Sequence, residues 1–184
     1  MATVLSVSGS PSPTSRTTRL LRHLDPAIAT RGHAVTILDA RTLPAEALLR
    51  ADTGHPGISR AVDLFERADA VVIGSPIYKA AYSGLLKSLL DLLPRRALAG
   101  RTVLPLATGG STAHVLAIDY ALRPVLSSLG AAHITPGWFV LDRHIATGPD
   151  ASVVLDPAAA EGLGRTLDEF LSALDRSTSR RAAA

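Results

Sequence analysis

The chain contains no cysteine. That excludes disulfides, thiolate nucleophiles, iron–sulfur clusters and cysteine-held zinc, and it fits a reducing compartment such as the cytoplasm. Aromatic residues are scarce, at 4% of 184 residues, so aliphatic side chains must fill the core. Lysine is almost missing: Lys79 and Lys87 stand alone, and arginine carries the rest of the positive charge. No apolar run is long enough to span a bilayer. The opening Met1-Ala2-Thr3-Val4-Leu5 lacks the basic residues that begin a signal peptide. The net charge is +3, but the basic residues are scattered apart from Arg176 to Arg181. Nucleic-acid binding calls for a basic stripe with interleaved aromatics, so neither nucleic acid nor membrane is expected as a partner. The surplus suits small anionic ligands, or simply an arginine-rich surface.

What is present reads as one globular domain. Hydrophobic residues make up 47% and charged ones 19%, and the length supports a single core. Residues 3–8 read as a buried strand. Leu20, Leu21, Leu24 and Ile28 recur at helical spacing over about 15–31, with Gly32 as the stop. A second strand spans 34–38, and 41–57 reads as a long connection with a helical turn at 45–50. A helix is expected at 58–67. The continuous apolar run 69–74 marks a central parallel strand buried on both faces. A helix over 83–92, a strand over 102–107, a long helix over 111–129 and a fifth strand over 132–140 follow. Residues 141–156 read as a loop and 157–174 as the last helix. Five strands alternating with helices make an α/β, doubly wound parallel sheet. Residues 1–175 form the domain, and 176–184 are expected to be a disordered basic tail.

In such sheets, ligands bind beyond the carboxyl ends of the strands, where strand order reverses; for order 2-1-3-4-5 that is between strands one and three. Three loops on that rim stand out. Ser8-Gly9-Ser10-Pro11-Ser12-Pro13-Thr14-Ser15-Arg16-Thr17-Thr18 is rich in hydroxyls and runs into a helix N-terminus, where free N–H groups and the helix dipole favour an anion. Arg16 adds a charge-assisted donor. The loop suits a phosphate monoester, or Ser15 merely caps a helix. It is neither a Walker loop nor a three-glycine dinucleotide fingerprint. In Gly74-Ser75-Pro76-Ile77-Tyr78-Lys79-Ala80-Ala81-Tyr82-Ser83-Gly84, Pro76 is expected to end the strand, and Tyr78 can lie near a flat ring or simply pack. In Ala107-Thr108-Gly109-Gly110-Ser111, paired glycines allow close approach of a planar ligand; the bland alternative is a turn with Ser111 as N-cap. His114 reads as a structural or solvent-facing residue. His23, His33, His55, His133 and His144 show no metal spacing, and no metal site is expected. No Gly-x-Ser-x-Gly elbow makes Ser10 a nucleophile.

At these loops the chain resembles the NADPH-dependent FMN reductases, most closely the branch that supplies reduced flavin to alkanesulfonate monooxygenases. The carrying residues are Gly9-Ser10-Pro11 with Ser15-Arg16, then 76–84 and Leu89-Leu90-Asp91-Leu92-Leu93-Pro94. Leu104 to Gly110 and Ala117 to Pro124 complete the match, which is densest over 74–126. The resemblance implies a flavodoxin-like fold, a homo-oligomer (commonly a tetramer), and FMN and NADPH as ligands. It places the FMN phosphate on Ser10, Ser15, Arg16 and Thr17. The ring would lie against Pro76, Ile77, Tyr78 and Lys79 and against Thr108, Gly109, Gly110 and Ser111. It also implies a π-type bulge around Tyr120, near flavin and subunit interface, making Tyr120 the catalytic candidate. Many relatives carry arginine where this chain has Ser12.

Hydride transfer from nicotinamide to flavin needs stacking at near-attack distance more than a protein acid or base, so the lack of a catalytic dyad fits. Alternatives are an enzyme that keeps its FMN and reduces quinones, azo dyes or metal ions, a flavodoxin-type electron carrier, and a phosphate-ligand module without redox chemistry. The carriers are usually acidic and aromatic-rich around the flavin, unlike this chain.

Overall fold

Val4 and Val7 in β1 (Thr3–Ser8) are both fully buried although they point to opposite faces, because helices cover the strand on both sides. The computed structural model describes residues 1–148 and 152–182. Residues 149–151 of the expected loop and 183–184 of the expected tail lie outside the described residues.

α1 (Arg16–Thr30) buries Leu20, Leu21, Leu24 and Ile28, the expected stripe. Its N-cap is Ser15, whose Oγ accepts the Thr18 N–H at 3.0 Å. Gly32 takes φ +85°, a conformation that other residues adopt only at a cost, and turns the chain into β2 (Ala34–Asp39). Short α2 (Ala45–Leu49) and α3 (Pro56–Arg67) follow, then β3 (Ala70–Tyr78), β4 (Ala81–Tyr82), α4 (Gly84–Asp91) and β5 (Thr102–Gly109). A π-helical turn (Ile118–Leu122) leads into α5 (Arg123–Ser128), β6 (His133–Ile134) and β7 (Trp138–Leu141). β8 (Ile145–Thr147) and β9 (Val153–Leu155) form an antiparallel pair before α6 (Pro157–Ala182).

The sheet runs β2-β1-β3-β5-β6, parallel throughout, with β7 continuing beside β5. This is the doubly wound, flavodoxin-like class expected. One face packs Leu5, Val7 and Ile73 against Phe65, Leu86 and Leu126 from α3, α4 and α5. The other packs Val4, Val72 and Leu104 against α1 and α6, with Phe170 fully buried. Each fully buried Leu, Ile or Phe contributes about 1.5–3 kcal/mol.

The expected fifth strand over 132–140 is two strands. Val103 turns its carbonyl toward Thr135 (N–H···O 3.0 Å), so Pro105, two residues on, faces the same neighbour with no N–H to give. The ladder lapses there and resumes at Leu106 opposite Trp138. Gly137 fits the gap because a Cβ would lie 2.7 Å from the Pro105 carbonyl oxygen.

Pro76 does not end its strand; β3 runs on to Tyr78. Gly74 directs its carbonyl to the Gly9 N–H at 2.8 Å, so Pro76 faces the same side, beyond the end of β1, where a missing N–H breaks no ladder. β3 then folds back as a hairpin, with Ile77 opposite Tyr82 and Tyr78 opposite Ala81.

The expected helix over 111–129 is broken as well. Ser111 caps a 3₁₀ turn at Thr112–His114, and the π-helical turn holds Tyr120, as the resemblance implied. Arg123 N–H reaches back five residues to the Ile118 carbonyl, while Pro124 has no N–H for the carbonyl of Tyr120. Arg123 locks this register by bonding Asp119 and the carbonyls of Ile134 and Thr135. Residues 141–156 contain the β8–β9 pair rather than only loop. The tail expected from Arg176 is helical to Ala182, and Ser177 and Thr178 hydroxyls donate back to the Leu174 carbonyl.

Candidate functional site

β1, β3, β5 and β7 all deliver their carboxyl ends to one rim. Ser8 pairs Asp39 and Gly74, Pro76 pairs Thr108, and Gly109 pairs Leu141. At this rim a polar hollow of about 170 Å³ is lined by Ser10, Ser12, Thr14, Ser15, Arg16, Thr17, Pro76, Ile77, Tyr78, Thr108, Gly109, Gly110 and Asp142. All three expected loops therefore meet. A larger hollow of about 550 Å³ between α3 and the 38–44 segment shares no residue with it. There the N-terminus of α3 is already capped, with the Gly57 N–H donating to His55 Nδ1 at 3.0 Å.

The first loop is held by its own hydroxyls. Ser12 N–H donates to Ser10 Oγ at 3.3 Å and Thr14 N–H to Ser12 Oγ at 3.2 Å. Ser83 anchors the loop from α4: its Oγ donates to the Gly9 carbonyl and accepts from the Leu86 N–H. Gly9 must be glycine, since a Cβ would sit 2.6 Å from Leu86 Cβ. The Ser83 N–H in turn donates to Ser75 Oγ at 2.9 Å. The walls of the site are thus braced by buried side-chain bonds.

Among the described residues, the backbone N–H groups of Ser15, Arg16 and Thr17 have no acceptor within the chain. They sit at the positive end of α1, next to the Arg16 guanidinium. This is a donor set for an anion. Arg16 also approaches Asp142 at 3.9 Å, with both side chains partly solvated, so this pair contributes little on its own. Thr17 Oγ1 meets Thr108 Oγ1 at 2.7 Å and ties the helix to the end of β5.

Three expected site residues lie off the hollow. Lys79 is exposed at the hairpin tip with φ +51°. Ser111 is exposed, its Oγ accepting from Ala113 N–H. Tyr120 is 78% exposed on the π-helical turn. Asp142, Ser12 and Thr14 line the hollow and were not among the expected residues. Asp142 follows the carboxyl end of β7, so the rule that singled out the other loops points to it too. Among the described residues there is no cluster that could hold a metal ion, and no helix is long and apolar enough to cross a membrane.

The sequence model of the NADPH-dependent FMN reductases matches residues 2–145. The chain belongs to that family. An FMN reductase (NADPH) of Pseudomonas putida is 44% identical over 94% of this chain and 88% of its own length. One of Escherichia coli is 44% identical over 77% and 74%. The NADH-dependent FMN reductase SfnF of Pseudomonas putida is 34% identical over 90% of this chain and 89% of its own. Among solved structures, apo NADH:FMN oxidoreductase (EMOB) superposes with a TM-score of 0.84 at 39% identity, covering 92% and 88%. This member of the FMN reductase family is an oxidoreductase acting with NAD(P)H on FMN. Its donor set fits the group: three free backbone N–H groups, hydroxyls and one arginine suit a phosphate monoester, and Gly110 leaves open space beside the rim.

Proposed function

We propose that the rim hollow binds the FMN phosphate through Ser10, Ser15, Arg16 and Thr17. The flavin ring then rests on Pro76, Ile77, Tyr78, Thr108, Gly109 and Gly110, with Lys79 and Ser111 at the outer margin. The observation that carries this reading is the set of unpaired N–H groups of Ser15 to Thr17 beside Arg16. FMN bound here accepts hydride from the nicotinamide. The chain's own work is to hold the phosphate, to offer loop amides to the polar edge of the ring, and to leave one ring face open.

The enzyme supplies reduced FMN to a partner monooxygenase, one acting on alkanesulfonates, in the cytoplasm. Support comes from the small hollow and from Ser12 standing where an arginine would tighten the phosphate grip; weak retention suits release of flavin as product. Tyr78, Val115, Leu116 and Tyr120 are large, exposed apolar side chains on the hairpin and on the segment leading into and through the π-helical turn. They favour burial against another copy, in a tetramer that brings Tyr120 to the flavin.

The test is reduced-nicotinamide oxidation in air, with and without added FMN. Turnover that rises and saturates with FMN supports the reading. Turnover independent of added FMN points to a retained flavin and another acceptor, and none with either NADPH or NADH removes it.

A further inference from the structure

A further cleft, of about 560 Å³, lies between α1 and the β8–β9 pair and shares Thr14 with the rim hollow. Arg19, Arg22 and His23 line it from α1, and Thr147 from β8. Spacings of three and four residues put these three side chains on one helical face. At about 1.5 Å of rise per residue, Arg22 stands about 8 Å along the axis from Thr17.

Several arginines of this protein are neutralised within the fold. Arg31, Arg41, Arg50, Arg123 and Arg165 each pair with a carboxylate. Among the described residues, Arg19 and Arg22 form no ion pair and no acidic residue lines the cleft. Asp25, within the field of Arg22, is buried and turned away from solvent. Arg19 is half-buried, so its charge is screened less than that of a fully exposed side chain.

Unpaired guanidinium groups next to a hydroxyl-lined wall recognise a phosphate dianion. The rim hollow already has its own arginine and helix terminus for one phosphate. We propose that this cleft takes the adenosine 2′-phosphate of NADPH and sets the preference for NADPH over NADH. This rests on the reading of the rim as the flavin and nicotinamide site. NADH carries a hydroxyl at that position and has nothing for Arg19 and Arg22 to hold.

The experiment uses the purified full chain, with calorimetric titration of adenosine 2′,5′-bisphosphate and of ADP as probes. The wild type should bind the bisphosphate about tenfold more tightly than ADP. Arg19→Ala/Arg22→Ala should abolish that difference and lower the NADPH-to-NADH ratio of kcat/KM about tenfold. Arg22→Gln is the milder variant should the double one fold poorly, and circular dichroism checks both. A preference left intact overturns the proposal. An equal loss for bisphosphate and ADP overturns it too, because the cleft would then hold the diphosphate common to both coenzymes. Failure of the reductase reading is separate: it appears as a wild type that oxidises neither coenzyme with FMN, whatever the probes bind.

Discussion

Thr17 and Thr108 join hydroxyl to hydroxyl at 2.7 Å, 91 residues apart in sequence, and both are buried beneath the rim hollow. The bond fixes the first turn of α1 against the end of β5. Removing one partner leaves the other buried and unsatisfied. Thr17→Val or Thr108→Val should each cost about 1–3 kcal/mol. The double variant should lose less than the sum, because two apolar groups of the same shape leave nothing unpaired. Urea unfolding of all four proteins, closed as a double-mutant cycle, measures the coupling; strict additivity would mean that the bond does nothing for stability.

Gly9→Ala tests how the first loop, proposed to hold the FMN phosphate, is seated. A Cβ at Gly9 would lie 2.6 Å from Leu86 Cβ, inside a contact that neither α4 nor β1 can widen cheaply. Overpacking of this kind costs about 1–3 kcal/mol. The loop also loses its fit to Ser83 and Gly74, so FMN should bind several-fold more weakly. Quenching of FMN fluorescence reads the affinity and thermal melting reads the stability. Unchanged FMN binding in a folded variant would detach this loop from the flavin.

The legible parts of the molecule were those where one residue type does one job. Ser15, Gly32 and the Leu20–Ile28 stripe announced α1 with its cap and stop, and the apolar run at 69–74 announced a strand buried on both faces. The rim-hollow lining from the loops after β1 and β5 was legible because hydroxyls, glycines and Arg16 fall where a parallel sheet opens. Illegible features depend on relations between distant residues. Pro105 splits the last strand only because its vacant N–H side faces residues 135–137. Pro76 is harmless in β3 only because β1 has already ended. The π-helical turn follows from Pro124 and from the hold of Arg123 on β6, neither of which breaks the helical pattern of the surrounding residues. The hairpin was hidden because Lys79-Ala80 carries no turn signal.

That two-residue connection should be easy to improve. Lys79 and Ala80 both hold positive φ, +51° and +65°, the pattern of a type I′ turn. Such turns favour Asn-Gly, and a non-glycine residue in the left-handed region costs about 1–2 kcal/mol. Lys79→Asn/Ala80→Gly should therefore raise stability by about 1–2 kcal/mol, seen as a higher melting temperature. A lower one would show that the hairpin draws its conformation from contacts of the Lys79 or Ala80 side chain.

Asp25 makes the stability of the fold depend on pH. Its carboxyl oxygens and the Ser6 hydroxyl lie buried between α1 and the sheet, and none has a hydrogen bond of acceptable geometry. Burial pushes the pKa above its ordinary 3.8, outweighing the nearby Ser6 hydroxyl and Arg22, which pull it down. The folded protein thus holds its proton more tightly than the unfolded chain does. Asp25 is no burden below pH 3.8, where both states are protonated. As pH rises from there to the folded value, the unfolded chain releases this proton while the folded protein keeps it, and stability falls until the buried carboxyl ionises as well. Asp25→Asn keeps the shape without the charge. Its advantage over the wild type should be small in acid, widen as pH rises and level off once Asp25 is ionised in both states. Urea midpoints of the two proteins across that range provide the measurement. A variant that loses ground to the wild type as pH rises would mean that the Asp25 carboxylate is held by partners that stabilise its charge.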